Sequence, residues 1–178
     1  MADSASVTSM AALIDEHYQL VYRYAYRLCG DVVDAEDLTQ QTFLTAQAKL
    51  DQLRDPAAAR GWLCTIVRHA YLRERRQPQR TLSLWEGAEP WSEPSPPEDI
   101  DEAALQTALG ELPEEFRTPV VLFYFEGFSY KDIAGQLQVP LGTVMSRLSR
   151  AKAHLREALS DEVDRGSVVN PKSVSFPR

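Results

Sequence analysis

The sequence predicts an all-α protein: two small helical domains joined by a flexible linker rich in Pro and acids. Three observations carry this. Apolar residues recur at helical spacing through residues 10–77 and again through 102–160. Between them, residues 78–101 hold five Pro, six acids and few aliphatics, too little apolar surface to fold alone. The third is charge segregation. Residues 60–80 carry six Arg against one acid (+5), residues 131–156 five cations against one acid (+4), and residues 81–116 ten acids and no cation (−10).

The 178-residue length suits one or two small domains. A net charge of −7 at first argues against a polyanionic partner, but phosphate affinity depends on local cations. Solvated faces on an acidic protein would not predict two basic blocks flanking an acidic one. No apolar run is long enough to span a membrane, and the first residues lack a cationic-then-apolar leader. The cytoplasm is the expected location. Cys29 and Cys64 lack the spacing of a metal site, and each falls among apolar helix positions, so buried reduced thiols are expected.

Residues 1–9 are small and polar and read as a disordered terminus. From Met10, the positions Leu13, Ile14, Leu20, Val21, Tyr24 and Leu28 run at helical spacing, and Gly30-Asp31 is the stop. Tyr18, Tyr22, Tyr24 and Tyr26 are too many for one face; most read as core or interhelix packing. Asp31 opens the next helix, with Asp34, Glu36 and Asp37 near its positive end and Leu38, Phe43, Leu44 and Ala48 as the apolar stripe. Residues 51–59 read as a loop. Residues 60–76 form one amphipathic helix with Trp62, Leu63, Ile66, Val67 and Ala70 on its apolar side. Its arginines make a cationic rail suited to melted single strands through backbone charge and base stacking. Trp62 reads either as core, the commoner case, or as a stacking platform.

After the linker, 100–112 is a helix ending at Leu-Pro, with Ala104, Leu105, Ala108, Leu109 and Leu112 on its stripe. Pro113-Glu114-Glu115 begins another, with Pro at the first helical position. Pro119 lies inside that pattern and predicts a kink or a late start, since an interior Pro costs ~3 kcal/mol; Gly127 ends it. Residues 127–156 then read as helix-turn-helix. Ile133, Ala134 and Leu137 line the first helix, Val139-Pro140-Leu141-Gly142 makes the turn, and Val144, Leu148, Ala151 and Leu155 line the second. The opposite face of the second helix carries Thr143, Ser146, Arg147, Arg150 and His154, a cationic, hydroxyl-bearing surface suited to a major groove. Periodicity is lost after Leu159, and 161–178 reads as a frayed tail.

The wording of this stretch goes further than its pattern. G-F-S-Y-x-D-I-A followed by V-P-x-G-T-V-x-S-R-L-x-R-A-K-x-x-L-R resembles the promoter-reading end of an extracytoplasmic-function (ECF) sigma factor of the sigma-70 family. The resemblance extends over about 10–77 and 102–159 and implies a region 2 helical bundle and a region 4 helix-turn-helix. It implies core RNA polymerase and promoter DNA as partners, with duplex read at the −35 element and melted strand at −10. An anti-sigma partner is compatible with it, and no cofactor, metal or active site is implied. D-A-E-D-L-T-Q-Q-T-F-L is similar to the family's polymerase-docking helix, which would place Asp34, Glu36, Asp37, Gln40 and Gln41 at that partner. Read from the residues alone, the same carboxylates are helix capping and a solvated face. The −10 candidates are Arg60, Trp62, Arg68, His69, Arg73, Arg75 and Arg76. The −35 candidates are Thr143, Ser146, Arg147, Arg150 and Lys152.

Departures from the family pattern are specific. Gln138 stands where a turn Gly is common and is expected to strain the turn slightly. Met145 replaces a common Lys and removes a phosphate contact. His69 and Arg73 replace the usual Asn and Asp at DNA-facing positions, so the preferred promoter is not inherited from relatives. Gln47 and Leu53 replace Trp and Phe. Trp85 and Trp91 are odd in a spacer; they anchor either on polymerase or on the protein's own domains. The competing readings are a one-component helix-turn-helix regulator and, less well supported, an enzyme or a helical adaptor. A regulator needs a sensor or symmetric dimer interface, and His17, His69 and His154 lack a catalytic constellation.

Overall fold

A computed structural model describes residues 9–76 and 102–164, and every described element is helical. The linker with Trp85 and Trp91, the first eight residues and the last fourteen lie outside the described residues.

Three helices build the N-terminal domain: α1 (Met10–Cys29), α2 (Val32–Ala48) and α3 (Ala59–Arg76). Ser9 caps α1 by accepting from the Ala12 N–H at 3.2 Å. Gly30 stops it in the left-handed region (φ 79°), its N–H reaching the Tyr26 carbonyl at 2.8 Å. Asp31 immediately caps α2, accepting from the Asp34 N–H at 3.0 Å. The three helices pack on one another through Leu20, Val21, Tyr24 and Leu28, Leu38 and Phe43, and Leu63, Val67 and Tyr71. The buried Thr39 and Thr42 hydroxyls donate to the Ala35 and Leu38 carbonyls, both at 2.7 Å, so their burial leaves no orphan donor. The expected loop at 51–59 contains two single 3-10 turns, Leu50–Gln52 and Pro56–Ala58, the second capped by Asp55.

In the C-terminal domain, α4 (Glu102–Glu111), α5 (Glu114–Val120), α6 (Tyr130–Leu137) and α7 (Leu141–Asp164) follow in order, with α7 packed on the other three. Pro113 is the N-cap of α5 rather than its first helical residue. The kink expected from Pro119 takes a definite form. Val121–Phe125 widens to a π-turn, with the Glu126 N–H reaching the Val121 carbonyl at 3.0 Å. Gly127 (φ 65°) ends the segment.

Three expectations change. Leu44, assigned to the buried stripe of α2, is 66% exposed, and Ile14 is 37% exposed; Leu13 takes the inward position beside Ile14. Helix α7 runs to Asp164 instead of ending near Leu159, because nothing between Ser160 and Asp164 is a Gly or Pro breaker. Gln138 is the non-Gly residue with positive φ among those described (φ 54°, ψ 43°), capping α6. A side chain there is disfavoured where Gly is not. Gln138→Gly is expected to raise unfolding free energy by about 1 kcal/mol, seen as a Tm increase of roughly 2–4 °C.

Both cysteines are free thiols, Cys64 buried and Cys29 half-buried. Burial pushes the Cys29 thiol up to about 12 and raises Cys64 as well.

The two domains pack against each other and share one continuous apolar cluster. Several polar contacts also cross the seam between them. Arg117, only 5% exposed, donates to the Leu28 carbonyl and the Tyr71 hydroxyl, each at 2.8 Å, across the seam. Within its own domain it donates to the Gly110 (2.5 Å) and Leu112 (2.9 Å) carbonyls. Arg27 pairs with Glu102 at 2.5 Å and lies 4.4 Å above the Phe125 ring. Gln106 donates to the Tyr26 carbonyl at 3.2 Å.

Candidate nucleic-acid interface

The helix-turn-helix is held by a reciprocal cap. The Ser129 hydroxyl accepts from the Asp132 N–H at 3.2 Å, and the Asp132 carboxylate accepts from the Ser129 N–H at 3.1 Å. The Ser129 hydroxyl also donates to the Asp132 carboxylate at 2.5 Å. This bond, with the one from the Ser129 N–H, holds the Asp132 carboxyl below its usual range. Ile133 on α6 and Val144, Leu148, Ala151 and Leu155 on α7 are buried, which fixes how α7 is rolled.

That roll distributes the predicted residues. At 3.6 residues per turn, Ser146 and Arg150 lie at the centre of the outward face. Both are exposed. Thr143 and Arg147 lie along one flank beside α5, where Arg147 meets Glu115 at 3.5 Å and its side chain stays 25% exposed. Ser146 donates to the Thr143 carbonyl at 3.0 Å. His154 continues that flank, stacked 6.1 Å from the Phe116 ring. Lys152 is not brought to this group: it falls on the opposite flank, with Leu141 (49% exposed) and Met145 (52% exposed).

Helix α3 divides its candidates into two stripes in the same way. Trp62, His69 and Arg73 share one side, and the helical register adds position 76. His69 and Arg73 are exposed, and Trp62 is half-buried against the core. Arg73 donates to Gln41 on α2 at 3.0 Å. Arg60, Arg68 and Arg75 share the other side. Arg75 folds back on Tyr71 (2.9 Å to the hydroxyl), whereas Arg60 and Arg68 reach the C-terminal domain. Arg68 contacts Glu114 at 3.1 Å; Arg60 donates to the Glu126 carbonyl and lies 4.6 Å over the Phe128 ring. The side chain of Arg76 lies outside the described residues.

On α2, Asp34, Glu36, Asp37 and Gln40 are exposed and Gln41 is half-buried. Burial and the neighbouring Asp31 raise the Asp34 carboxyl. Val33 (44% exposed) and Leu44 (66% exposed) flank Asp37 and Gln40 on the same face, so the acidic strip ends in apolar residues on both sides. The sequence holds a signal for them: positions 33, 37, 40 and 44 repeat at helical spacing.

Among the described residues, a basic helix-turn-helix at one end and an arginine-lined bundle at the other define a two-domain helical protein. The sigma-70 region 2 family matches residues 13–81 and the sigma-70 region 4 family residues 102–155. The chain is 40% identical over 166 residues to the ECF RNA polymerase sigma factor SigE of Mycolicibacterium smegmatis, covering 89% of this chain and 64% of that protein. It is 36% identical to SigL of Mycobacterium tuberculosis, over 90% of this chain and 94% of that one. Among solved structures it is similar to the sigma factor RpoE bound to the anti-sigma factor NepR from Bartonella quintana. That match has a TM-score of 0.67 at 29% identity and covers 83% of this chain and 94% of that one. CnrH, in complex with the cytosolic domain of CnrY, matches with a TM-score of 0.63 at 26% identity, covering 89% of each chain. The chain belongs to the ECF RNA polymerase sigma factors of the sigma-70 family. That membership favours the sigma-factor reading over a one-component regulator. No helix among the described residues is long and apolar enough to cross a membrane.

Proposed function

We propose that the chain binds core RNA polymerase, directs it to a promoter read at two places, and has no active site of its own. The outward face of α7 carries the reading: Arg150 and Ser146 stand exposed at its centre, on a helix whose opposite side is buried. Arg147 and Arg150 contact guanine edges or phosphates of the duplex −35 element, assisted by Thr143 and Ser146. Lys152, on the other flank, reaches the backbone. In the N-terminal domain, the Trp62, His69, Arg73 and Arg76 side of α3 takes the melted −10 strand. Arg60, Arg68 and Arg75 extend the cationic rail along the adjacent side. Strand opening follows from binding a flipped, unpaired base better than a paired one. Asp34, Glu36, Asp37, Gln40 and Gln41 meet the polymerase, with Val33 and Leu44 as flanking apolar contacts. The site of action is the cytoplasm. The domain boundaries that fit are 10–77 and 102–160, the second lengthened by the last turn of α7.

Footprinting and run-off transcription with added core enzyme, across genomic fragments, test this. Protection and transcripts should appear only with core polymerase present. Protection of an operator by the chain alone would favour a free-standing regulator. The polymerase face has its own test. Leu44→Asp is expected to weaken core binding by about 2 kcal/mol. It should leave the Tm unchanged, because Leu44 contributes little to the core.

A further inference from the structure

We propose that Met145, backed by Leu141, is a thymine reader: its apolar side chain meets the C5-methyl group of a thymine in the major groove of the upstream element. This rests on the reading of α7 as the helix that enters that groove. Among the four bases only thymine offers a methyl there, and an apolar side chain is what recognises it. Leu141 is 49% exposed and Met145 52% exposed, one turn apart on the same side of α7. Neither serves the core, which α7 meets through Val144, Leu148, Ala151 and Leu155. Both stand in the first two turns of the helix, the part of a recognition helix that contacts base edges.

The neighbouring residues suit the same occupant. Between Met145 and Arg150 the helical register places Gly142, Ser146 and Ser149, all exposed. A Cβ at Gly142 would meet nothing within 4 Å, so packing within the chain does not call for glycine there. Its bare backbone lets a base pair come close. The small serines leave Met145 and Arg150 as the long side chains on either edge of this strip. Arg150 suits guanine, whose two acceptors it can hold together. Met145 precedes it by five residues, about 7.5 Å along the axis. That is about two base-pair steps, so the thymine belongs within about three base pairs of the guanine. Methionine is unbranched and adaptable, which suits contact with a single methyl. A protein partner fits less well. The apolar patch is two side chains wide, far below the roughly 1,000 Å² of a stable protein interface.

Deoxyuridine tests this, because it pairs as thymidine does and lacks only the methyl. The probe is a promoter duplex recovered by run-off transcription. Each thymine of its upstream element is replaced in turn by uracil, and binding by the holoenzyme is read by competition. Replacement of a thymine within about three base pairs of the guanine that Arg150→Ala ceases to require should weaken native binding about fourfold, the worth of one buried methyl. Met145→Gln keeps the length and makes the tip polar; in that variant the same replacement should have no effect. Met145 is exposed, so the variant keeps the fold. Native indifference to every replacement, absence of a thymine from that window, or full sensitivity in Met145→Gln would each overturn the proposal. Full sensitivity together with weakened core binding would mark the flank as a protein contact. The parent reading fails differently. If Arg150→Ala and Met145→Gln both leave upstream binding unchanged, α7 is not the reading helix and the thymine contact falls with it. If Arg150→Ala weakens binding while uracil costs nothing, α7 reads the duplex and Met145 does not read thymine.

Discussion

Arg117→Met is expected to lower the unfolding free energy of the full chain by about 3 kcal/mol or more. The native guanidinium is 5% exposed and faces no carboxylate within ion-pair range among the described residues. Its charge is met by carbonyls instead: Leu28 near the end of α1, and Gly110 and Leu112 around the end of α4, with the Tyr71 hydroxyl completing the set. Helix C-terminal carbonyls carry partial negative charge and suit a cation. Methionine fills a similar volume but donates nothing, so four acceptors lose a charged donor at once. Chemical denaturation of the purified variant measures this directly. A loss under 1 kcal/mol would mean that the carbonyls find other donors. Since two of the four bonds cross the seam, the variant should also loosen the contact between domains.

The second large effect concerns DNA. Arg147→Ala and Arg150→Ala are each expected to weaken upstream-element binding by the holoenzyme by about 1–3 kcal/mol. Neither should unfold the protein, because Arg150 is exposed and the Arg147 pair with Glu115 is half in water, where ion pairs contribute little. A salt titration distinguishes the type of contact. Loss of a phosphate contact reduces the salt slope by about one and acts on all sequences alike; loss of a base contact relaxes preference at one position. If both variants bind and initiate as the native chain does, α7 is not the reading helix.

What could be read from the sequence was what is local. Helical spacing located every long helix, and Gly30 and Gly127 marked real stops. The buried residues of the helix-turn-helix came from periodicity alone, because a three- or four-residue repeat needs no knowledge of the partner. Leu44 was misplaced for the same reason: α2 carries apolar residues on two sides, and spacing does not say which side is covered. The seam was invisible. Arg117 sits three residues after Glu114 and looks like one member of a solvated pair, while its actual partners lie up to 89 residues away. Arg60 and Arg68 likewise meet groups 66 and 46 residues distant. Contacts at that separation leave no mark on periodicity, so a rail that looks open in sequence is half covered in the folded chain.

The protonated state of the two thiols has a consequence for signalling. Burial pushes the Cys29 thiol up to about 12 and raises Cys64 too, so at neutral pH neither offers an appreciable amount of the thiolate that attacks peroxides and disulfides. Either cysteine is therefore a slow target for oxidants at neutral pH, and a redox signal through this subunit would need local opening to expose one of them.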